Sequence, residues 1–281
     1  MQPGSSGLYF YTRGKGKVIG MKKFMTLCLV ALLALATLAA GCGGGGEKKD
    51  AKADQKTEKV LRIGTNADFA PFEFQDVGGK EYQGFDMDLI RALSKEMGYK
   101  AEIQNINFDG LIPALEAGNL DVIISGMTIN DERKKKVDFS EPYYKSGLSI
   151  IVKKDDASIK KFSDLKSKKV AVQIGTTSAM EVKKIDGAIV KEFNSSADTF
   201  MELKAGGVDA VVNDRPVNDY YIAKSGVADV RRLEELLTSE DYGIASSKKN
   251  PDMKKKIDAA LKKLRDNGEY DKIFKKWFGN G

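Results

Sequence analysis

The sequence predicts an α/β fold built as two lobes. Segments with strand character alternate with segments of helical period, which is the pattern of βαβ units. The alternation runs twice, and Val137–Val152, an extended segment without a helical period, joins the two runs. The chain from residue 60 to residue 281 is long enough for one large domain or two small ones. We therefore expect one lobe from each run.

The first run begins with the strand Val60–Gly64. Gly84–Gly98 follows as an amphipathic helix, because apolar residues recur on one face and Gly98 is a typical stop. The remaining elements of this run are the strand Ala101–Ile106, the helix Asp109–Ala117 and the buried strand Leu120–Ile124.

The second run repeats the cycle. Its predicted strands are Lys169–Gln173, Ala188–Phe193 and Val208–Val212. Its predicted helices are one that begins at Thr176, Ser196–Ala205 and Asp214–Lys224. Two further helices, Pro251–Asp266 and Tyr270–Phe278, end the chain on either side of a break at Asn267-Gly268.

Residues 21–46 have the order of a secretory signal peptide. A basic start at Lys22 and Lys23 precedes an uncharged apolar stretch, and small residues lead to Cys42. This end is similar to a lipobox, although Ala39 stands where leucine is usual. The alternative is a retained membrane-spanning helix, because the stretch approaches the ~20 residues that a span needs.

Processing at this site would divide the N-terminal region into two parts. Residues 1–41 would be an upstream extension and signal peptide, with translation starting at Met21. Cys42 would become the lipidated first residue, and residues 42–59 would form a lipid-anchored, flexible tether without aromatic or β-branched aliphatic side chains.

Composition excludes several classes of function. Residues 1–41 hold five of the 46 basic residues and none of the 40 acidic ones, which leaves 41 basic residues and a net charge of +1. Nucleic acid binding needs a basic footprint, so we expect no nucleic acid partner. The chain has no histidine, which excludes imidazole metal sites and histidine-dependent nucleophilic catalysis. We expect no metal, no cofactor and no disulfide, because its cysteines are Cys28 and Cys42.

Six segments, taken in chain order, resemble one protein family. They are TNADFAPFEF at 65–74, GFDMDL from Gly84, SGMTINDERKKKVDFSE at 125–141, VAVQIGTTS at 170–178, DAVVND from Asp209, and the terminal NGEY and KWFG. With these motifs the chain resembles the polar-amino-acid solute-binding proteins of ABC importers, the family 3 extracellular solute-binding proteins. The resemblance implies the type II periplasmic-binding-protein fold, in which two chain crossings form a hinge between the lobes.

The resemblance also implies the division of the chain. Residues 60–142 and 243–281 would form lobe 1, and residues 143–242 would form the hinge and lobe 2. Ligand contacts from both lobes would exist together only in the closed state, so that binding drives closure.

The resemblance gives Arg133 the central role in the site, because the matching arginine holds the ligand α-carboxylate. A planar guanidinium suits this task through two parallel hydrogen bonds. Asn130 is a predicted cap of the helix that carries it. Asp214, Gly126 and Thr128 match the residues that hold the α-ammonium group. From the residues alone, Arg133 could also belong to a solvated basic run, and Asp214 could be a helix cap.

Four more positions match the ligand site of the family. Phe69 and Phe108 correspond to aromatics that sandwich the aliphatic stem of the ligand. Thr176 and Thr177 open a helix whose backbone N–H groups favour an anion. Core packing of the two rings and simple helix capping by the threonines are the alternatives. All these residues lie near carboxyl ends of predicted strands, where α/β sheets bind ligands.

Three amides distinguish this chain from the glutamine-binding members of the family. Those members have an acid, a lysine and a histidine where this chain has Asn66, Gln173 and Asn213. Binders of lysine, arginine and histidine also carry an acid at the position of Asn66, so the resemblance implies an uncharged side-chain end of the pocket. This favours glutamine over a cationic ligand, which would lack its counter-ion. Asp68 and Glu73 are acids nearby, so an arginine- or lysine-binding protein of the same type is the alternative.

The resemblance implies a monomeric lipoprotein on the extracellular or periplasmic face of the cell membrane that delivers an amino acid to an ABC transporter permease. A dehydratase-like enzyme on the same fold is the rival and would need a general acid or base in the cleft. Asn66, Gln173 and Asn213 cannot carry protons. The sensor half of a receptor kinase is a third possibility, although the chain ends at Gly281 without a second membrane segment.

Overall fold

The computed structural model describes residues 59–76, 78–225 and 229–279. The predicted signal peptide, the predicted lipidation site Cys42 and the tether up to residue 58 lie outside the described residues. Within the described ranges, no helix combines the length and the apolar character that crossing a membrane requires.

Strands and helices alternate along the described chain, as the sequence predicts. The strands are β1 (Lys59–Thr65), β2 (Asp68–Phe69), β3 (Glu73–Phe74), β4 (Tyr99–Asn105), β5 (Val122–Ile123), β6 (Val137–Phe139), β7 (Tyr144–Ser146), β8 (Leu148–Lys153), β9 (Lys169–Gln173), β10 (Ile189–Phe193), β11 (Ala210–Asp214), β12 (Val230–Arg232), β13 (Glu240–Tyr242) and β14 (Ala245–Ser247). The α-helices are α1 (Phe85–Glu96), α2 (Phe108–Glu116), α3 (Asp131–Lys134), α4 (Thr177–Val182), α5 (Ser196–Ala205), α6 (Arg215–Ser225), α7 (Pro251–Asp266) and α8 (Glu269–Phe278).

The first lobe is built on a five-stranded mixed sheet in the order β4-β1-β5-β14-β6. β1 pairs in parallel with β4 and β5, whereas β14 runs antiparallel to β5 and β6. The helix α1 buries Leu89, Ile90 and Leu93, the face that the sequence predicts. It ends before Gly98, whose φ of 74° is the left-handed conformation that glycine adopts without strain.

The second lobe is built on a second five-stranded sheet in the order β10-β9-β11-β8-β12. β9 pairs in parallel with β10 and β11, and β8 runs antiparallel to β11 and β12. The sequence predicts the bounds of β9 and α5 correctly. The strand β11 begins and ends two residues later than predicted, so Asp214 is its last residue and α6 begins at Arg215.

The chain passes between the lobes at β7 and at β13, which pair antiparallel with Tyr144 opposite Tyr242. Buried and partly buried aromatic rings surround this hinge. Tyr242 packs against Tyr144 and Phe72 with ring centroids 5.7 and 5.2 Å apart, and Tyr144 packs against Phe278 at 5.0 Å. The C-terminal helix α8 thus supports the hinge. The predicted lobe boundaries at residues 142–143 and 242–243 stay predictions.

A small hairpin formed by β2 and β3 is absent from the sequence-based prediction. Two-residue strands are too short to show a period of two, so no alternation could have indicated them. The hairpin pairs Phe69 with Glu73 and Asp68 with Phe74. It therefore brings one predicted ligand-binding aromatic and one acid of the loop after β1 next to each other.

Candidate functional site

A buried cavity lies between the lobes at the carboxyl ends of strands from both sheets. The residues that line it are Asn66, Phe69, Glu73, Phe108, Ser125, Gly126, Thr128, Arg133, Gln173, Thr176, Thr177 and Asp214. Every predicted ligand-binding residue except Asn213 is among them. Asn66 follows β1, Gln173 ends β9 and Asp214 ends β11, which is the placement expected of ligand sites in α/β sheets.

Arg133 lies in the short helix α3, which Asn130 caps by accepting a hydrogen bond from the Arg133 backbone N–H at 2.9 Å, as predicted. The side chain is 5% exposed. Its two terminal nitrogens donate to the carbonyl oxygens of Thr128 at 2.7 Å and Gly175 at 3.1 Å. The guanidinium carbon lies 5.3 Å from the centroid of the Phe108 ring, within the range of a cation–π contact.

Burial lowers the pKa of Arg133 to about 10, although the nearby charges of Glu240 and Asp214 act to raise it. The group therefore stays cationic at neutral pH. Its hydrogen bonds go to backbone carbonyls of both lobes and leave its charge available to an anion. The arrangement suits a carboxylate that enters the cavity.

Asp214 supplies the opposite charge. Its Oδ1 accepts hydrogen bonds from the hydroxyls of Ser146 and Tyr242, which belong to the two hinge strands. Burial, and after it the neighbouring charge of Glu240, raise the pKa of Asp214, whereas the two hydroxyls and Arg133 lower it, and the resulting pKa is about 7. A cationic group bound beside Asp214 would favour its ionised form.

Glu240 is a carboxylate that the sequence-based prediction missed. It is 7% exposed and accepts hydrogen bonds from the hydroxyls of Thr128 in the first lobe, Thr177 in the second lobe, and Thr238. Thr128 thus donates its proton to Glu240 and keeps its lone pairs free toward the cavity. The flanking Ser-Glu-Asp-Tyr segment carries no periodic signal that could have indicated this role.

The helix α4 begins at Thr177, one residue after the predicted start, and Thr176 caps it, with its hydroxyl accepting the Ala179 backbone N–H at 3.3 Å. Helix capping, the alternative reading of this threonine, is therefore a role that it has in the structure. Gly126 has a φ of 50°, and a Cβ placed there would lie 2.7 Å from the Phe69 ring. Glycine is required at this position because the aromatic ring packs directly on the backbone.

The side-chain end of the cavity holds two of the three predicted amides. The Nε2 of Gln173 donates to the Oδ1 of Asn66 at 2.7 Å, which joins the two lobes across the cavity. Asn213 is 6% exposed and does not line the cavity. Its side chain donates to the hydroxyl of Ser196 at 2.8 Å and accepts the backbone N–H of Asp214 at 2.9 Å. Asn213 therefore holds the strand end that carries Asp214.

Glu73 and Ser125 also line the cavity, although neither was a predicted ligand-binding residue. The Ser125 hydroxyl donates to Glu73 Oε1 at 2.9 Å and accepts the backbone N–H of Asn66 at 2.9 Å. Burial, followed by the charge of Asp86, raises the pKa of Glu73 well above its usual range. The cleft therefore contains a group that can carry a proton, which the three amides did not suggest. No group of side chains suited to a metal ion occurs within the described residues.

The buried acids predict an unusual dependence of stability on pH. Burial raises the pKa values of Asp68 and Asp86 from 3.8 to about 6, and that of Asp214 to about 7. The folded state then binds more protons than the unfolded state between about pH 4 and pH 7, so the free energy of unfolding falls as pH rises through this range. We expect the ligand-free protein to melt about 5–10 °C lower at pH 8 than at pH 5. A melting temperature that is constant or rises over this range in scanning calorimetry would contradict the raised pKa values.

A family model and similar proteins of known function agree on one protein family. The model of the bacterial extracellular solute-binding proteins, family 3, matches residues 61–280. The chain is 34% identical to the arginine-binding extracellular protein ArtP of Bacillus subtilis, with 92% of this chain and 98% of that protein covered. It is 35% identical to the glutamine-binding protein GlnH of an ABC transporter in the same organism, with 92% and 97% covered.

Solved structures share the fold. An ancestral arginine-binding protein, solved with arginine and also with glutamine, is 48% identical and has a TM-score of 0.76, with 79% of this chain and 99% of that chain covered. An ancestral amino acid-binding protein described as a precursor of cyclohexadienyl dehydratase is 46% identical with a TM-score of 0.72, over 78% of this chain and 95% of that chain.

Proposed function

We propose that this chain, which belongs to the bacterial extracellular solute-binding proteins of family 3, captures a free polar amino acid as a monomer and delivers it to the permease of an ABC transporter. The observation that carries the proposal is the pair of opposite charges in one cavity. Arg133 from the first lobe and Asp214 from the second line it together. Their hydrogen bonds to neutral protein groups leave both charges for a ligand that has a carboxylate and an ammonium group.

The main-chain end of the ligand would lie between these groups. Arg133 would pair with the α-carboxylate, and Asp214 with the hydroxyl oxygen of Thr128 would receive the α-ammonium protons. Phe69 and Phe108 would flank the aliphatic stem, because both rings line the same cavity. Since these groups come from both lobes, the ligand would stabilise the closed state.

Glutamine is the ligand that we favour at the side-chain end. Asn66 and Gln173 offer amide donors and acceptors there, and Glu73, the acid that lines the cavity beside them, is held toward its neutral form by burial. A neutral amide side chain needs no counter-ion, whereas an arginine or lysine side chain does. Arginine is the second candidate, since Glu73 could supply that counter-ion and since the similar ancestral protein was solved with each of these two amino acids.

A thermal shift measurement against the twenty amino acids tests the proposal. A ligand that binds only the folded state raises the melting temperature by mass action, and one at a concentration of 100 times its Kd adds roughly 2.7 kcal/mol of stability. We expect the largest shift with glutamine, smaller ones with arginine and lysine, and none with glutamine analogues that lack the α-carboxylate. If no amino acid shifts the melting temperature, the proposed function is wrong.

A dehydratase-like enzyme remains the second candidate, and the specific observation in its favour is Glu73. A buried, protonated carboxyl group in a ligand cavity can act as a general acid. The same carboxyl group can equally bind a ligand without reacting with it. Nuclear magnetic resonance of a ligand incubated with stoichiometric protein separates the two functions, because a binding protein returns every bound molecule unchanged.

The lipid anchor gives a prediction about Cys42. Cys42→Ala should release the protein from the membrane fraction without changing its fold, because the substitution lies outside the residues that form the cavity and the sheets. Detergent-phase partitioning of cells that express each form measures the release. If both forms stay in the detergent phase, the apolar stretch of residues 24–40 is a retained anchor and the lipidation proposal is wrong.

A further inference from the structure

We propose that Glu73 sets the side-chain specificity of the cavity by changing its protonation with the ligand: it keeps its proton beside a neutral amide side chain and releases it to solvent to pair with a guanidinium group. The inference rests on the proposed function and deepens it. It explains how one cavity could accept both glutamine and arginine without a permanent charge at its side-chain end.

Glu73 is placed to meet a ligand. It lies in β3, is fully buried and lines the cavity together with Asn66 and Gln173. Its Oε1 accepts the Ser125 hydroxyl at 2.9 Å, whereas its Oε2 has no donor among the described residues. An unpartnered buried oxygen of this kind is costly and indicates a missing proton or a missing partner.

Asp86, at the start of α1, also has an unpartnered carboxyl oxygen. Its Oδ2 accepts the backbone N–H of Gly126 at 2.8 Å and the hydroxyl of Tyr143 at 2.7 Å, and its Oδ1 has no donor within the described part of the chain. Side-chain hydrogen bonding between the two carboxyl groups raises the pKa of Glu73 and lowers that of Asp86. Two carboxyl oxygens can bond in this way only when one of them carries a proton.

The geometry decides which acid holds that proton. Asp86 already receives two donors, which stabilise its ionised form, and burial leaves its pKa at about 6. Glu73 receives one donor and is raised well above its usual pKa by burial and by the charge of Asp86. Glu73 is therefore the protonated member and Asp86 the ionised one. Proton transfer to Asp86 would weaken its bonds to Gly126 and Tyr143, so ionising Glu73 requires loss of the proton to solvent.

The charged side chains around Glu73 are carboxylates. Asp86 faces it from α1, and Asp68 on β2 adds a further negative charge that raises its pKa. Tyr143 on the hinge side of Asp86 stays neutral, since burial raises its pKa well above its usual range. A guanidinium group entering the cavity would bring the missing positive charge. It would favour the ionised carboxylate, which presents two oxygens to a planar guanidinium.

The proton balance gives the test. Arginine binding should release a proton from Glu73, and glutamine binding should not. Asp214 meets the α-ammonium group of both ligands, so its contribution cancels in the comparison. The ratio of arginine affinity to glutamine affinity should therefore rise with pH between 5.5 and 8.5, by at most about tenfold per pH unit. Asp68 and Asp86 titrate near pH 6 and add a small slope at the acidic end.

Calorimetry of the full chain in buffers of different ionisation enthalpy counts the released protons directly. We expect arginine to release more protons than glutamine at pH 7. Equal proton release with the two ligands, or an affinity ratio that does not change with pH, would overturn the proposal. Failure of both ligands to bind would overturn this proposal, whereas the proposed function fails only if no amino acid binds, so the two failures are distinguishable.

Glu73→Gln imitates the protonated side chain and cannot ionise. We expect it to weaken arginine binding by roughly 30-fold or more and to change glutamine binding by less than about threefold. In this variant, arginine binding should no longer release more protons than glutamine binding. Retained glutamine binding shows that the variant is folded and closes, and Glu73→Asp, which can ionise, should recover part of the arginine affinity. Equal losses of affinity for both ligands would mean that Glu73 has a structural role and does not set the specificity. If the variant does not fold, the proton count on the unmodified protein still decides.

Discussion

Arg133→Ala is expected to abolish the binding of every amino acid, whatever its side chain. The reason is that, in the proposed site, Arg133 pairs with the α-carboxylate, which all amino acids share. Loss of a buried, hydrogen-bonded charge partner costs about 2–5 kcal/mol. This corresponds to a loss of affinity of roughly 30-fold to several-thousand-fold. Isothermal titration with glutamine and with arginine should therefore show the same large loss for both ligands.

Arg133→Lys is the matched control for this prediction. It keeps the positive charge but has no planar fork, and it cannot reach both Thr128 and Gly175 with parallel donors as the guanidinium does. We expect an intermediate affinity. Because Arg133 also contacts backbone carbonyls of both lobes, melting of the ligand-free variants must show that the fold is intact. A loss of only a few-fold in a folded Arg133→Ala protein would place the carboxylate elsewhere.

The fold could be predicted from the sequence wherever an element is long enough to show a period. The helix α7 and the strand β9 have the predicted bounds, because alternation and capping residues mark both ends. The two-residue strands β2 and β3 show no period, and their hairpin depends on packing against elements distant in sequence. That hairpin positions Phe69 and Glu73 in the cavity lining. The short strands β12, β13 and β14 were not predicted either, for the same reason.

The candidate site was predicted to a similar degree. Residues that follow strands in recognisable motifs, such as Arg133 and Asp214, line the cavity as expected. Asn213 does not, because the strand β11 extends to Asp214 and alternate residues of a strand point to opposite faces. Glu73 and Glu240 could not be weighed from the sequence. Their roles depend on burial and on hydroxyl partners contributed by Ser125, Thr128 and Thr177, which only the folded chain brings together.

Asp214→Asn should also cause a large loss of affinity for all amino acids, together with a change in the pH profile. The asparagine Oδ1 can still accept the hydroxyls of Ser146 and Tyr242, so the local structure should persist. The substitution removes the negative charge beside the proposed position of the α-ammonium group, and we expect a loss of about 2–5 kcal/mol, comparable to that of Arg133→Ala.

The pH profile separates a charged partner from a merely structural residue at this position. In the unmodified protein, the pKa of Asp214 is about 7 without ligand, and a bound ammonium group lowers it. Ligand affinity should therefore fall as pH decreases below about 7, by at most about tenfold per unit, and this dependence should vanish in Asp214→Asn. Glu240→Gln is the matched control. Removing the Glu240 charge lowers the pKa of Asp214, so the loss of affinity should begin at a lower pH. If the ligand affinity of Asp214→Asn still falls below about pH 7 as it does in the unmodified protein, another group binds the ammonium.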